Sequence, residues 1–150
     1  MIIANDILKD KGSEIYFVTP DFTIYQTIEK MIGWKVGSVL IKEDEKFIGL
    51  WTERDFIRNI YQSDIDIKTD KIKDYMLRRL HVASSENNVY ELMDKFLGLR
   101  VRHLLIENNG VYVGVLSVGD VMKSMINEKT KELKDINEII NWEYYENWQW

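Results

Sequence analysis

Two stretches of the chain, "GLWTERD" at Gly49–Asp55 and "GVLSVGD" at Gly114–Asp120, read as one phrase written twice. Each holds a glycine, two large apolar residues, a hydroxyl residue, two variable positions and an aspartate. The two lie 65 residues apart, and the same shift aligns 19–60 with 84–125 without a gap. Identities fall at Tyr25/Tyr90, Lys30/Lys95, Gly33/Gly98, Val36/Val101, Leu40/Leu105, Ile41/Ile106, Gly49/Gly114 and Asp55/Asp120. Eight identities in 42 positions are modest alone; the stronger point is that the element signals coincide throughout. A long period present only twice describes two related modules rather than a solenoid.

Each copy carries the same signals in order. A short strand-like piece comes first, Ile15–Val18 in one copy and Leu80–Ala83 in the other. A helix start follows: Thr23 with Gln26 reads as a capping box, and Asn88 with Glu91 as a looser one with an Asn cap. Apolar residues then recur at helical spacing, Ile24, Ile28, Met31 and Val89, Met93, Phe96, and Gly33 and Gly98 are expected as the left-handed C′ residues. Val36–Ile41 with Phe47–Trp51, and Val101–Ile106 with Val111–Leu116, read as hairpins across the polar links Lys42–Lys46 and Glu107–Gly110. A second helix runs through Phe56, Ile57 and Ile60, and through Val121, Met122 and Met125.

Each copy is therefore β-α-β-β-α, an α/β arrangement, and about 50 residues give too small a core to stand comfortably alone. Two copies packed sheet to sheet would bury both. The expected organisation is a first repeat with its N-terminal segment (1–62), a second repeat (63–126) and a helical, aromatic-rich tail (127–150). For the charged and apolar connector Gln62–Asp74, ordered packing and a free linker fit equally.

Composition bounds what such a pair can do. Hydrophobic residues are 45% and charged residues 30%, as in a soluble globular protein. A net charge of −5 argues against a nucleic-acid partner or an anionic membrane surface, because phosphate contacts need a basic face. It leaves room for a small anion in a locally basic pocket. The absence of cysteine excludes disulfides, thiolate metal sites and cysteine nucleophiles. No apolar run reaches the roughly 18 residues that span a bilayer, and the charged start is not that of a signal peptide, so a cytoplasmic location is expected.

The repeated phrase has a plain structural reading. Thr52 and Ser117 are good N-caps, and an acid in the first turn suits the helix dipole. On that reading Asp55 and Asp120 are capping-box partners, although Asp is a methylene shorter than the Glu or Gln usual there. The chain uses Gln26 and Glu91 at its other two helix starts and Asp at both of these. A helix N-terminus beyond a strand also seats phosphate, and a carboxylate in its first turn can accept both hydroxyls of a vicinal diol. Hydroxyl plus Asp thus suits a nucleoside phosphate, and recurrence at corresponding places strengthens that reading.

These features, with "VTPDFTIYQTIEKM", "GLWTERDFIR" and "VRHLLIENNGVYVGVLSVGDVMKSMI", resemble a tandem pair of CBS domains, often called a Bateman module, over about residues 5–126. The resemblance implies two repeats packed as a pseudo-twofold pair, binding adenosyl ligands in clefts between them. The implied ligands are AMP, ADP or ATP, with NAD or S-adenosylmethionine in some members, and no obligatory cofactor. It also implies roles for individual residues. Asp55 and Asp120 would hold ribose, and Thr52 and Ser117 ribose or phosphate. Gly37, Ser38, Arg102 and His103 would line the phosphate end, while Val18, Thr19, Leu50 and Val115 would wall the base. Copy two has Ser85 for Pro20, and Arg102-His103 face the uncharged Gly37-Ser38. Arg54, replaced in copy two by Gly119, could serve the site holding Asp55, so two unequal sites are expected.

The remaining candidates weigh less. Two histidines, His81 and His103, without clustered ligands speak against a metal, and Arg102 suits phosphate better than His103 does. Glu53 is expected to point off its helix start, and no catalytic set is legible. In the tail, Leu133, Ile136 and Ile140 fall on one stripe ahead of "NWEYYENWQW". Such an aromatic cluster marks a contact surface or covers its own module, and self-association is slightly favoured. The functional expectation is a non-enzymatic, adenine-nucleotide-sensing regulatory module, homodimeric and read by an unidentified partner protein. The alternative is a dimerisation or protein-interaction scaffold whose ligand sites are vestigial.

Overall fold

The computed structural model of the chain describes residues 1–12 and 14–133. A short helix, α1 (Ala4–Lys11), comes first. The first repeat follows as β1 (Phe17–Val18), α2 (Ile24–Trp34), β2 (Ser38–Glu43), β3 (Lys46–Thr52) and α3 (Glu53–Gln62). The second is β4 (Val82–Ser84), α4 (Val89–Leu99), β5 (His103–Asn108), β6 (Val111–Ser117) and α5 (Val118–Glu132). The sheets have the order β1-β2-β3 and β4-β5-β6, with the first pair of each parallel and the second antiparallel. The α/β pair expected from the repeat is the fold observed.

Local chemistry explains most of the element starts. Thr23 Oγ1 accepts from the Gln26 amide while Gln26 Oε1 accepts from the Thr23 amide. Asn88 and Glu91 make the same reciprocal pair. The helix ends differ from expectation. Gly33 and Gly98 remain helical, and the left-handed residues are Lys35 (φ 57°) and Arg100 (φ 55°). The reason lies one residue on, where the Val36 and Val101 amides bond back to the Met31 and Phe96 carbonyls. That is a Schellman closure, and its apolar contact pins the helix end beyond the glycine, because both valines pack on their repeat's core.

Both hairpins turn through two residues of positive φ, Asp44-Glu45 and Asn109-Gly110, as a type I′ turn requires. Both also carry the same bulge. Ile41 pairs with Gly49 and Lys42 with Phe47, leaving Ile48 extra, and Val113 is left extra in the second sheet in the same way.

Each sheet packs one face on its helices. Val39, Ile41 and Trp51 meet Ile24 and Met31, while Leu104, Ile106 and Leu116 meet Leu92, Phe96 and Val121. The stripe expected on α3 is rotated. Phe56 packs on Trp51 with ring centroids 5.6 Å apart, and Asn59 accepts from the Trp51 indole at 2.9 Å, so Ile57 and Ile60 face outward. In α5, Val121 is buried and Met122 is exposed. Leu40 and Leu105 are buried outside both helical cores. Alternation along the strand puts them on the opposite face, where the two sheets meet with Phe47 and Tyr112 5.9 Å apart.

The segments that precede the repeats are exchanged. Helix α1 packs on the second repeat: the Ala4 and Asn5 amides donate to Asn87 and Ser85 carbonyls, and Leu8 sits over Gly114. The connector packs on the first repeat. Ile24 and Tyr25 amides donate to Asp70 and Ile67, Met76 sits over Gly49, and Leu77 exchanges two backbone bonds with Leu50. The N-terminal segment grouped by sequence with the first repeat thus completes the core of the second, and the connector is ordered. Ile136, Ile140 and the aromatic run Asn141–Trp150 lie outside the described residues.

Candidate functional site

Strand β3 ends at Thr52 and strand β6 at Ser117, and both hydroxyls accept the amide of the aspartate three residues on. The reverse bond is made too. Asp55 Oδ2 accepts from the Thr52 amide at 3.0 Å, and Asp120 Oδ2 from the Ser117 amide at 2.7 Å. Both aspartates therefore work as capping-box partners, as the plain reading of the phrase requires.

Beyond the caps the two differ. Asp55 is 4% exposed, and its carboxylate also takes the Thr52 hydroxyl at 2.9 Å and Arg58 at 3.4 Å. The strand beside it is closed by the Leu50–Leu77 backbone pair. Asp120 keeps 24% of its side chain exposed and lines a cleft of about 260 Å³. Its Oδ2 also takes the Lys11 ammonium at 2.8 Å, and that ammonium reaches the Val115 carbonyl at 3.2 Å. Oδ1 takes no hydrogen bond from the described residues.

The cleft is shared between repeats. The second supplies His103, Val115, Ser117 and Asp120. The first supplies the segment from Lys35 into β2, with Gly37 and Ser38, and the chain at Glu14–Tyr16 ahead of β1. Ser38 and His103 occupy the same place in their repeats, so the pseudo-twofold axis brings the two β2-type strand starts into one wall. Gly37 lies close under Glu53: a Cβ there would lie 3.1 Å from the Glu53 carboxylate. Glu53 accordingly folds back over Gly37, and does not point away from its helix start.

Charge in the cleft is mixed, with Lys11 and Lys35 set against Glu14 and Asp120, and His103 beside them. Burial works to raise the Asp120 carboxyl, but the hydrogen bonds from Lys11 and Ser117 outweigh it and hold the group below the usual range. Burial pushes the His103 imidazole down, and the Lys11 and Arg102 charges add to this against the pull of Asp120 and Asp55.

The other candidates stand apart from this cleft. Val18 is in the first core and Thr19 is exposed beside it. Leu50 is paired with Leu77, and Thr52 caps α3. Arg54 and Arg102 are exposed and neither lines the cleft; Arg102 offers its carbonyl to the Val118 amide. Lys11, Glu14, Ile15, Tyr16 and Lys35 also line it and were not among the expected site residues; Lys11 carried no signal in the repeat because it comes from the exchanged helix α1. Among the described residues no cluster of His, Asp or Glu could hold a metal ion, and no helix is long and apolar enough to cross a membrane.

Two β-α-β-β-α repeats joined across their sheets, with a hydroxyl-x-x-Asp cap at the cleft between them, define a paired-repeat module. The chain belongs to the CBS domain family, which it matches over residues 5–62 and 72–127. A mitochondrial CBS domain-containing protein of Arabidopsis thaliana is 28% identical over 149 residues, covering 93% of this chain and 72% of that protein. A solved CBS domain structure is 32% identical, with a TM-score of 0.78, covering 84% of this chain and 99% of that one. Two more distant structures share the fold. A CBS domain protein of Pyrobaculum aerophilum, solved with AMP, is 16% identical with a TM-score of 0.69, covering 84% of this chain and 99% of that one. A CBS domain pair solved with 5′-methylthioadenosine and S-adenosyl-L-methionine is 15% identical with a TM-score of 0.73, covering 85% and 98%.

Proposed function

We propose that this chain is a non-enzymatic regulatory module that binds an adenosyl ligand, of the AMP, ADP or ATP type, in the cleft at Asp120. One observation carries the reading: Asp120 lines a cleft built from both repeats and is held as a helix cap by one oxygen, while its other oxygen takes no hydrogen bond from the described residues. A carboxylate so placed accepts ribose hydroxyls, and the positive end of the α5 dipole and the cations Lys11 and Lys35 suit phosphate. Membership of the family, and the adenosyl molecules in two proteins of the same fold, support the ligand class. A volume of 260 Å³ lies just under the roughly 300–1,000 Å³ of small-molecule pockets and favours a monophosphate over longer chains. Asp55, buried and fully engaged, is the lesser of two unequal sites.

The proposed working form is a homodimer, whose repacking on ligand binding a partner protein would read. The repeats expose the same apolar positions twice on their outer helices, Ile32 with Leu97 and Ile57 with Met122. Paired patches of this kind fit a second copy better than a solvated face.

Thermal melts with AMP, ATP and NAD test the ligand. A compound that binds only the native state at about 100 times its Kd adds about 2.7 kcal/mol. The Asp120→Asn variant keeps a cap acceptor but loses the charge, and is expected to bind about 10- to 100-fold more weakly. Asp55→Asn is expected to keep the response. The proposal falls if no adenosyl compound moves the parent melt, or if Asp120→Asn binds as the parent does.

A further inference from the structure

The carboxylate that faces the cleft already has a cationic partner from outside both repeats. Lys11, the last residue of α1, places its ammonium 2.8 Å from Asp120 Oδ2 and 3.2 Å from the Val115 carbonyl. Oδ2 also takes the Ser117 amide at 2.7 Å, so its two acceptor directions are used, and among the described residues nothing bonds to Oδ1. A single hydroxyl can bind to Oδ1 beside Lys11. A vicinal diol that reaches both oxygens cannot, unless Lys11 leaves.

Its counterpart in the first repeat is made differently. There the connector closes the last strand through backbone bonds between Leu77 and Leu50. Two backbone bonds at the edge of a sheet are a fixed part of the fold, and no side-chain rotation undoes them. One lysine side chain, 41% exposed, can swing away at the cost of one ion pair and one hydrogen bond to the Val115 carbonyl, both remade with water. Pairs this exposed are worth about 0–1 kcal/mol, a factor of up to about five in binding.

We infer that Lys11 is a specificity-determining residue of the Asp120 cleft, which sets how a ribose is held by competing with its second hydroxyl for Oδ2. With Lys11 seated, the site reads one hydroxyl and scarcely separates ribose from deoxyribose. With Lys11 displaced it reads both. The inference rests on the proposed adenosyl site and adds to it a competitor carried on the exchanged helix.

Calorimetric titration with the neutral nucleosides adenosine and 2′-deoxyadenosine isolates the sugar from phosphate contacts. Lys11→Met, which keeps the stem and removes the charge, is expected to bind adenosine about 2- to 5-fold more tightly, with 2′-deoxyadenosine unchanged. Lys11→Arg keeps the competing charge and is expected not to show that gain. Adenosine bound no more tightly by Lys11→Met, or an equal gain for both nucleosides, would overturn the inference. If AMP and adenosine shift neither parent nor variant, the adenosyl reading itself fails and takes this one with it. Binding to the parent with no change in Lys11→Met removes the competitor alone.

Discussion

At the scale of single residues, His103 shows how place in the fold sets chemistry. Its ring is held below the ordinary histidine range by burial first and by the Lys11 and Arg102 charges after it, against Asp120 and Asp55. The folded chain thus stays neutral where the unfolded one begins to take a proton, near pH 6.5. Because the unfolded state binds more protons, this term favours folding above pH 6.5 and is lost as pH falls toward the lowered folded value. Urea midpoints should drop between pH 7.5 and 5.5, and His103→Gln should flatten that part of the slope; an identical slope in the variant would show that other groups carry it. Asp120 has the same sign at lower pH. Its lowered carboxyl stabilises above the unfolded value near 3.9 and stops doing so as pH falls through the folded one. Neither environment was legible locally, since Lys11 lies more than ninety residues from both.

Among the elements, the capped helices and the hairpins follow from neighbours in sequence, and both were readable from Thr23, Asn88 and the polar links, though the I′ geometry of the turns was not. The rotation of α3 was not, because Trp51 and Asn59 choose which face turns inward through a contact that no helical period contains. Helix α1 is the sharper case. Its own residues give no clue to which repeat it serves, yet Leu8 fills the space over Gly114, where an added Cβ would lie 2.6 Å from a Leu8 methyl. Gly114→Ala should therefore cost about 1–3 kcal/mol by overpacking and push α1 outward. Chemical denaturation checks the magnitude. A neutral effect would mean that α1 is held mainly by its backbone bonds to Ser85 and Asn87.

For the whole molecule, the exchange of leading segments makes the pair one folding unit, since each repeat's core is finished by chain that belongs in sequence elsewhere. Among the apolar residues left exposed are those on the outer face of α2 and α4, with Ile32 at 71% and Leu97 at 70%. Charging both, as Ile32→Asp with Leu97→Asp, should shift the proposed dimer toward monomer in sedimentation velocity while leaving the fold intact. A variant that sediments as the parent does would move self-association away from these helices.

The chain by itself determined a doubled β-α-β-β-α unit and its two Asp-bearing helix starts, because capping, turn type and apolar period are contacts between near neighbours. It also gave Asp55 and Asp120 unequal neighbours, Arg54 against Gly119 and Gly37-Ser38 against Arg102-His103. Only the tertiary structure showed which of the two faces a cleft. Arg58 and the Leu77 backbone close around one, while the other opens on a cleft whose walls come from Gly37-Ser38, His103 and the exchanged α1. Side chains from distant segments meet only when sheets and helices are packed, so no spacing along the chain could have named Lys11 as the partner of Asp120.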